Sequence, residues 1–492
     1  MKRALGLIAA LFLCLPSRAS AQAGVDLQYR LSYVGGDTVH VSLLYKPFVQ
    51  DRTTFTYGEP RFGGQADILD CLKNVQAASP ATIKIDARSR TITLDYPGLE
   101  PVSINYDIRE SHMAEQAMRG ELFRPMIRKD YFYGHGVNIF LNPAPGPAGR
   151  KARQSVQWEK KPPFPLFYPF DPENRGETPA AGSVDSFLFS PITGARDLTV
   201  DKIAVGRSSV YLVLRLSPGA YFNRERIREY VRRYYAVLRR YWRDDDDKPY
   251  SLILQPFLGV DYNIGGVAFG NGFLSKYADL SDTILTPDRF FNLSHETGHR
   301  WLGGGGLNMG TDDQWFSEGF NDFVTLGALL AARYAAPSEF EFGLNDIMQA
   351  HYASPVKNTP NADVFKNYWK MGDDNKLPYR RGALFAFYLD NRIGLATDGG
   401  MGLRDLLLAL AAFRKGQTEG YELTLADFVR AASIWLPADE VRADLAKYII
   451  AGDPIPFSQE MLLPIYQIAW KDGIPNLKVI DPNKLFLRFS VY

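Results

Sequence analysis

The residues best suited to chemistry in this chain form one short constellation. His295-Glu296-Thr297-Gly298-His299 is followed, after eighteen residues, by Glu318. Residues four apart on a helix project from the same face, so His295 and His299 can grip one metal ion. Glu296 sits beside that face, placed to take a proton from metal-bound water. A catalytic zinc site takes three protein ligands and keeps one position open. Glu318 supplies the third. The chain has only six histidines, and two of them stand at this spacing. The chemistry implied is hydrolysis: one zinc ion lowers the pKa of its bound water towards ~7 and polarises a carbonyl. Glu296 would then accept the water proton and pass it to the leaving group. Asp322, one turn beyond Glu318, faces the same way and is expected to orient a ligand histidine through its other ring nitrogen.

Two helices must carry these groups. Thr286-Pro287-Asp288 opens the first, with Thr286 as N-cap and Pro287 at its first position, and the glycines at 303–306 should end it. The second starts near Asp313 and carries Glu318 through to about Ala335. Ahead of them, residues 223–242 read as a charged amphipathic helix ended by four aspartates (244–247) and Pro249. That acidic run is expected to form a solvated turn rather than a calcium site. Residues 251–257 read as a buried strand and 260–273 as a Gly-rich strand edge. Beyond 335 nearly everything reads as helix: parts of 338–352, then 379–393, 403–413, 425–434 and 438–450.

From about residue 25 to 215 the period is two instead. Thr38–Tyr45 and Thr91–Tyr96 alternate, and Thr82–Asp86 should pair with the latter as a hairpin. Pro/Gly-rich stretches at 142–149 and 162–172 read as loops. At 492 residues several domains are expected. The division is a signal peptide (1–21), a β-rich domain (22–215), a catalytic domain (216–400) and a helical region (401–492), an α+β multidomain protein. Lys2 and Arg3, the apolar stretch at 4–15 and Ala19-Ser20-Ala21 make the leader, which implies an exported, periplasmic or secreted protein. No later stretch is long and apolar enough for a membrane helix. Loss of Lys2, Arg3 and Arg18 takes the formal charge from +1 to −2, which argues against a nucleic-acid partner. Cys71 alone would remain in the mature chain, so no internal disulfide is possible, and it reads as a small buried hydrophobe. The many aromatic residues read as core rather than a carbohydrate platform.

The zinc motif in the setting Trp315-Phe316-Ser317-Glu318-Gly319-Phe320 resembles the gluzincin metallopeptidases, of the aminopeptidase-N and glycyl-aminopeptidase types. Pro378-Tyr379-Arg380-Arg381-Gly382 looks like that family's Pro-Tyr-x-Lys-Gly segment. The resemblance implies that Tyr379 stabilises the transition-state oxyanion, with Arg381 in place of the usual lysine. It spans roughly 220–450 and implies a thermolysin-like catalytic domain, preceded by a β domain and followed by helices. By the same likeness, Gly265, Gly266, Val267 and Ala268 form a substrate-binding edge strand. The family's glutamate for the substrate's free amine is missing, for no glutamate occurs between Gly259 and His295. Another acid, such as Asp261, would have to substitute. The expected function is a zinc peptidase acting on peptides or proteins, aminopeptidase-like with altered N-terminal recognition. A zinc-containing peptide-binding scaffold, or a zinc hydrolase of a non-peptide substrate, are the alternatives.

Overall fold

The computed structural model describes residues 25–59, 67–111, 124–144, 153–173, 184–215, 224–256, 265–277, 287–303, 306–310, 312–367, 372–418 and 421–490. The leader therefore lies outside the described residues. Among those described, no helix is long and apolar enough to cross a membrane.

Alternation in the first two hundred residues produces strands with one face in and one face out. In Thr38–Tyr45, Val39, Val41, Leu43 and Tyr45 are all buried. That strand sits at the centre of a five-stranded sheet, between Leu27–Gly35 and Val102–Arg109. The Thr82–Asp86 and Thr91–Tyr96 hairpin forms, with Asp86 opposite Thr91. Asp86 Oδ1 accepts the N–H groups of Arg88 and Ser89, which closes its turn. Both sheets bury their inner faces in one apolar core, where Cys71 is fully enclosed.

A five-stranded mixed sheet backs the candidate site. Its order is Thr199–Val205, Ser208–Leu214, Tyr250–Pro256, Gly272–Tyr277 and Gly265–Phe269. The boundary expected at residue 215 falls within this sheet, because Ser208–Leu214 runs parallel beside Tyr250–Pro256. Parallel neighbours need a crossover, and the helix Arg224–Tyr241 lies between them in sequence. A period of two announces a strand, not the sheet it joins. Tyr131, Tyr133 and Phe167 of the β domain pack against Tyr211, Val213, Ile253 and Leu274 of this sheet. Across the same junction the Tyr131 hydroxyl donates to Gln255 Oε1 at 2.8 Å, and Gln255 Nε2 donates to Thr193 Oγ1 at 2.6 Å.

Helices follow, as expected: Pro287–Gly298, Asn321–Ala331, Pro337–Tyr352, Asp373–Ala396, Leu403–Lys415, Leu425–Ala432 and Ala438–Asp444 among others. The C-terminal region adds a hairpin, Tyr466–Lys471 with Ile474–Val479. Its turn residues Asp472 and Gly473 both have positive φ, at 51° and 76°. An Asp-Gly pair is the residue choice for such a turn, so a region expected to be helical throughout also carries a hairpin whose turn its sequence marks. The last helix, Pro482–Ser490, closes the core over the helices that carry the site.

Candidate metal centre

The motif helix begins at Pro287, which is pre-set for a first helical turn; Thr286 lies outside the described residues. It is seated on the helix Arg224–Tyr241. The hydroxyls of Tyr230 and Ser294 are 2.6 Å apart, and the Tyr234 hydroxyl donates to the Ser294 carbonyl at 3.3 Å. The second carrier departs from expectation. In place of a regular helix from Asp313, a π-helical turn at Trp315–Phe320 holds Glu318 and passes directly into the α-helix Asn321–Ala331. Single π-turns of this kind recur at functional sites. The two carriers approach closely because residue 298 is glycine: a Cβ there would meet Asn321 Oδ1 at 2.0 Å. Asn321 Nδ2 in turn donates to the His295 carbonyl at 2.7 Å.

This approach brings the expected ligands together. His295 Nδ1 lies 2.7 Å from Asp322 Oδ1, and His299 Nδ1 lies 2.9 Å from the Leu302 carbonyl. A carboxylate and a carbonyl only accept, so both Nδ1 atoms carry protons and both Nε2 atoms face the site, where release of the Nε2 proton would free a lone pair for a metal. The Nε2 atoms of His295 and His299 stand 3.1 and 3.4 Å from Glu318 Oε2. All three ligating atoms lie within 4.8 Å of one another. Among the described residues this is the one such cluster of His, Cys, Asp and Glu side chains. Two fixed imidazoles, one carboxylate and acceptors holding both rings are a donor set that fits zinc. Glu296 Oε2 is 4.0 Å from His299 Nε2, beside the cluster rather than in it.

The electrostatics agree with a site built for a cation. Burial alone would push His295 down, but the carboxylates of Asp322 and Glu318 outweigh it and hold its pKa well above the ordinary imidazole value. His299 is raised too, with burial opposed mainly by Glu318. Burial would raise Glu318, yet His299 and His295 hold it far below the usual carboxylate range. Glu296 goes the other way, because burial raises it more than the histidines lower it.

Tyr379 comes from the helix Asp373–Ala396, where its ring lies 5.8 Å from that of His295 at 29°. Two glycines set that approach. A Cβ on Gly319 would meet Gly382 Cα at 2.4 Å, and one on Gly382 would meet the Trp315 carbonyl oxygen at 1.9 Å. Arg381 points away from the metal cluster: its Nη2 donates to the carbonyls of Lys357 and Thr359 at 3.0 and 2.6 Å. Burial lowers its pKa to about 10. Among the described residues the strand Gly265–Phe269 is the outermost of its sheet, paired only with Gly272–Tyr277, and it lies near the motif helix. At Gly266 a Cβ would sit 2.4 Å from the Phe273 ring, so packing already demands that glycine. Asp261 lies outside the described residues.

No family model matches the chain, and no curated protein matches it in sequence. Solved structures match in fold. An aminopeptidase N family protein from Idiomarina loihiensis superposes with a TM-score of 0.63 at 15% identity, over 82% of this chain and 75% of that one. An M1 zinc metallopeptidase from Deinococcus radiodurans gives 0.52 at 15% identity, over 88% and 96%. A glutamate-to-alanine variant of a two-domain M1 zinc metallopeptidase bound to L-arginine gives 0.54 at 14% identity, over 88% and 95%. The chain has the fold of these proteins, with a β-rich N-terminal part and a helical C-terminal region.

Proposed function

We propose that this protein is an exported zinc peptidase, aminopeptidase-like, with altered recognition of the substrate's N-terminus. The observation that carries the reading is the convergence of both Nε2 atoms on Glu318, with Glu296 beside them and Tyr379 against His295. Likeness in fold to M1 zinc metallopeptidases supports it. His295, His299 and Glu318 would hold one zinc ion, which when bound polarises the scissile carbonyl and acidifies the attacking water. Glu296 takes the water proton and delivers it to the leaving amine; a pKa raised by burial makes its carboxylate a stronger base. Tyr379 donates its hydroxyl proton to the carbonyl oxygen as negative charge builds there. Asp322 keeps His295 in the tautomer that binds metal.

Residues 265–268 offer backbone groups to an extended peptide, on the free side of the sheet. The absence of any glutamate from 260 to 294 supports the altered N-terminal recognition. A free ammonium left without a carboxylate partner in a closed pocket would be costly. The test is cleavage of a mixed peptide library, with free and acetylated N-termini, by wild type and Glu296→Gln. Expected is turnover of both classes by wild type, and loss of turnover with zinc retained in the variant. Equal turnover by the zinc-loaded variant would sink the mechanism; strict dependence on a free amine would sink the altered recognition.

A further inference from the structure

The acidic run at 244–247 is not a uniformly solvated turn. Asp245 and Asp247 are exposed, whereas Asp244 is largely buried and Asp246 half-exposed. Arg300, the residue after the ligand His299, is buried against them. Its Nη2 donates to Asp246 Oδ1 at 2.8 Å, and its Nε lies 3.4 Å from Asp244 Oδ2. Trp301 Nε1 donates to the same Asp244 oxygen at 3.0 Å. Arg239 completes the cluster, 3.7 Å from Asp244 and 3.5 Å from Asp246. The Trp301 indole also stacks on Trp242, at 6.3 Å and 5°, and lies tilted by 42° against Tyr235 at 5.7 Å.

This cluster grips the turn that orients His299. The next residue, Leu302, supplies the carbonyl that accepts from His299 Nδ1. The turn is closed by Leu307 N–H to the Trp301 carbonyl and Gly303 N–H to the Leu307 carbonyl, both at 2.7 Å. It also needs Gly306, where a Cβ would meet the Trp301 carbonyl oxygen at 2.2 Å. Thus the chain of contacts runs from Asp244 and Asp246, through Arg300 and Trp301, to the Leu302 carbonyl and the His299 ring.

We infer that Asp244 and Asp246 are positioning residues for the metal ligand His299, acting through the Arg300–Leu302 turn. The inference rests on the zinc reading of the site. Loss of an orienting partner behind a ligand histidine weakens metal binding by roughly 10–100-fold, and these residues stand one step further back. Asp244→Asn is therefore expected to weaken zinc by about 10-fold, at the low end of that range. Asp245→Asn, a neighbour in the same run, should leave it unchanged. Zinc affinity is read by chelator competition. In metal-free protein, imidazole nitrogen NMR reads the Nδ1–H bond of His299, which should broaden or shift in Asp244→Asn and hold in Asp245→Asn. Should Asp244→Asn fail to fold, Trp301→Phe keeps an aromatic ring, removes the indole donor and part of the stack on Trp242, and should give the same change in smaller measure. Unchanged zinc affinity and an unchanged His299 signal in a folded Asp244→Asn or Trp301→Phe would overturn the inference. Failure of wild type to bind zinc would instead defeat the proposed function, and leave the NMR comparison standing.

Discussion

Removing one oxygen from Tyr379 isolates its proposed role. Tyr379→Phe keeps the ring against His295 and deletes the donor to the developing oxyanion. Such a loss costs about 10²–10³ in kcat, with KM and zinc content nearly unchanged. A fall in zinc content matching the fall in rate would mean the ring serves the ligand instead. The histidines make a second case. Carboxylates hold both pKa values up in the metal-free protein, so each ring keeps its proton to a higher pH than a free imidazole would. Zinc needs both Nε2 lone pairs. Metal uptake near neutrality must therefore expel protons, and affinity must fall as pH drops. Calorimetry in buffers of differing ionisation heat should show proton release on zinc addition; a buffer-independent heat would contradict it. The clustering of His295, His299 and Glu318 was the feature most legible in sequence, since residue identity and spacing are local. The orienting groups differed: Asp322 shares a helix face with Glu318 and was readable, whereas the Leu302 carbonyl depends on a turn that spacing does not describe.

Between residues and whole fold, the elements meet at glycines. The π-turn bearing Glu318 and the helix bearing Tyr379 touch backbone to backbone at Gly319 and Gly382. No side chain can give way there, because the nearest atoms are main chain. Gly382→Ala should therefore force the two elements apart and destabilise the protein by about 1–3 kcal/mol, as overpacking of a tight core does. It should also lower kcat, by moving Tyr379 away from His295. Urea unfolding and steady-state kinetics test both; an alanine variant of wild-type stability and rate would show that the contact can relax. The sequence displayed both glycines inside recognisable motifs, but nothing in a one-dimensional pattern says that they face each other. The same limit explains the strand Ser208–Leu214: its apolar run Val210–Leu214 marks a strand, but nothing local names Tyr250–Pro256 as its partner. The π-turn was hidden for a different reason: side-chain periodicity over six residues barely distinguishes it from an α-helix.

At the scale of the molecule, the site is held from both ends of the chain. The β domain seats the mixed sheet through Tyr131, Gln255 and Thr193. The last helix, Pro482–Ser490, locks the carriers from the opposite end. Phe489 lies against Gly327 of the helix that carries Asp322, so close that a Cβ there would meet its ring at 2.4 Å. Its neighbour Arg488 donates from Nε to Asp390 Oδ2 at 2.8 Å, on the helix that carries Tyr379. Both groups are buried, with side chains 10% and 5% exposed. Asp390 Oδ1 meanwhile accepts the N–H of Leu403, tying in the start of the next helix. Arg488→Ala leaves that carboxylate buried without its guanidinium, and such a break costs about 3–5 kcal/mol. Arg488 is on a helix distant in sequence from every ligand, so the loss should appear in the urea midpoint and not in the turnover of molecules still folded. A midpoint unchanged by Arg488→Ala would mean the last helix only covers the core. A normal midpoint with reduced turnover would mean that it instead tunes the distance between the two carriers.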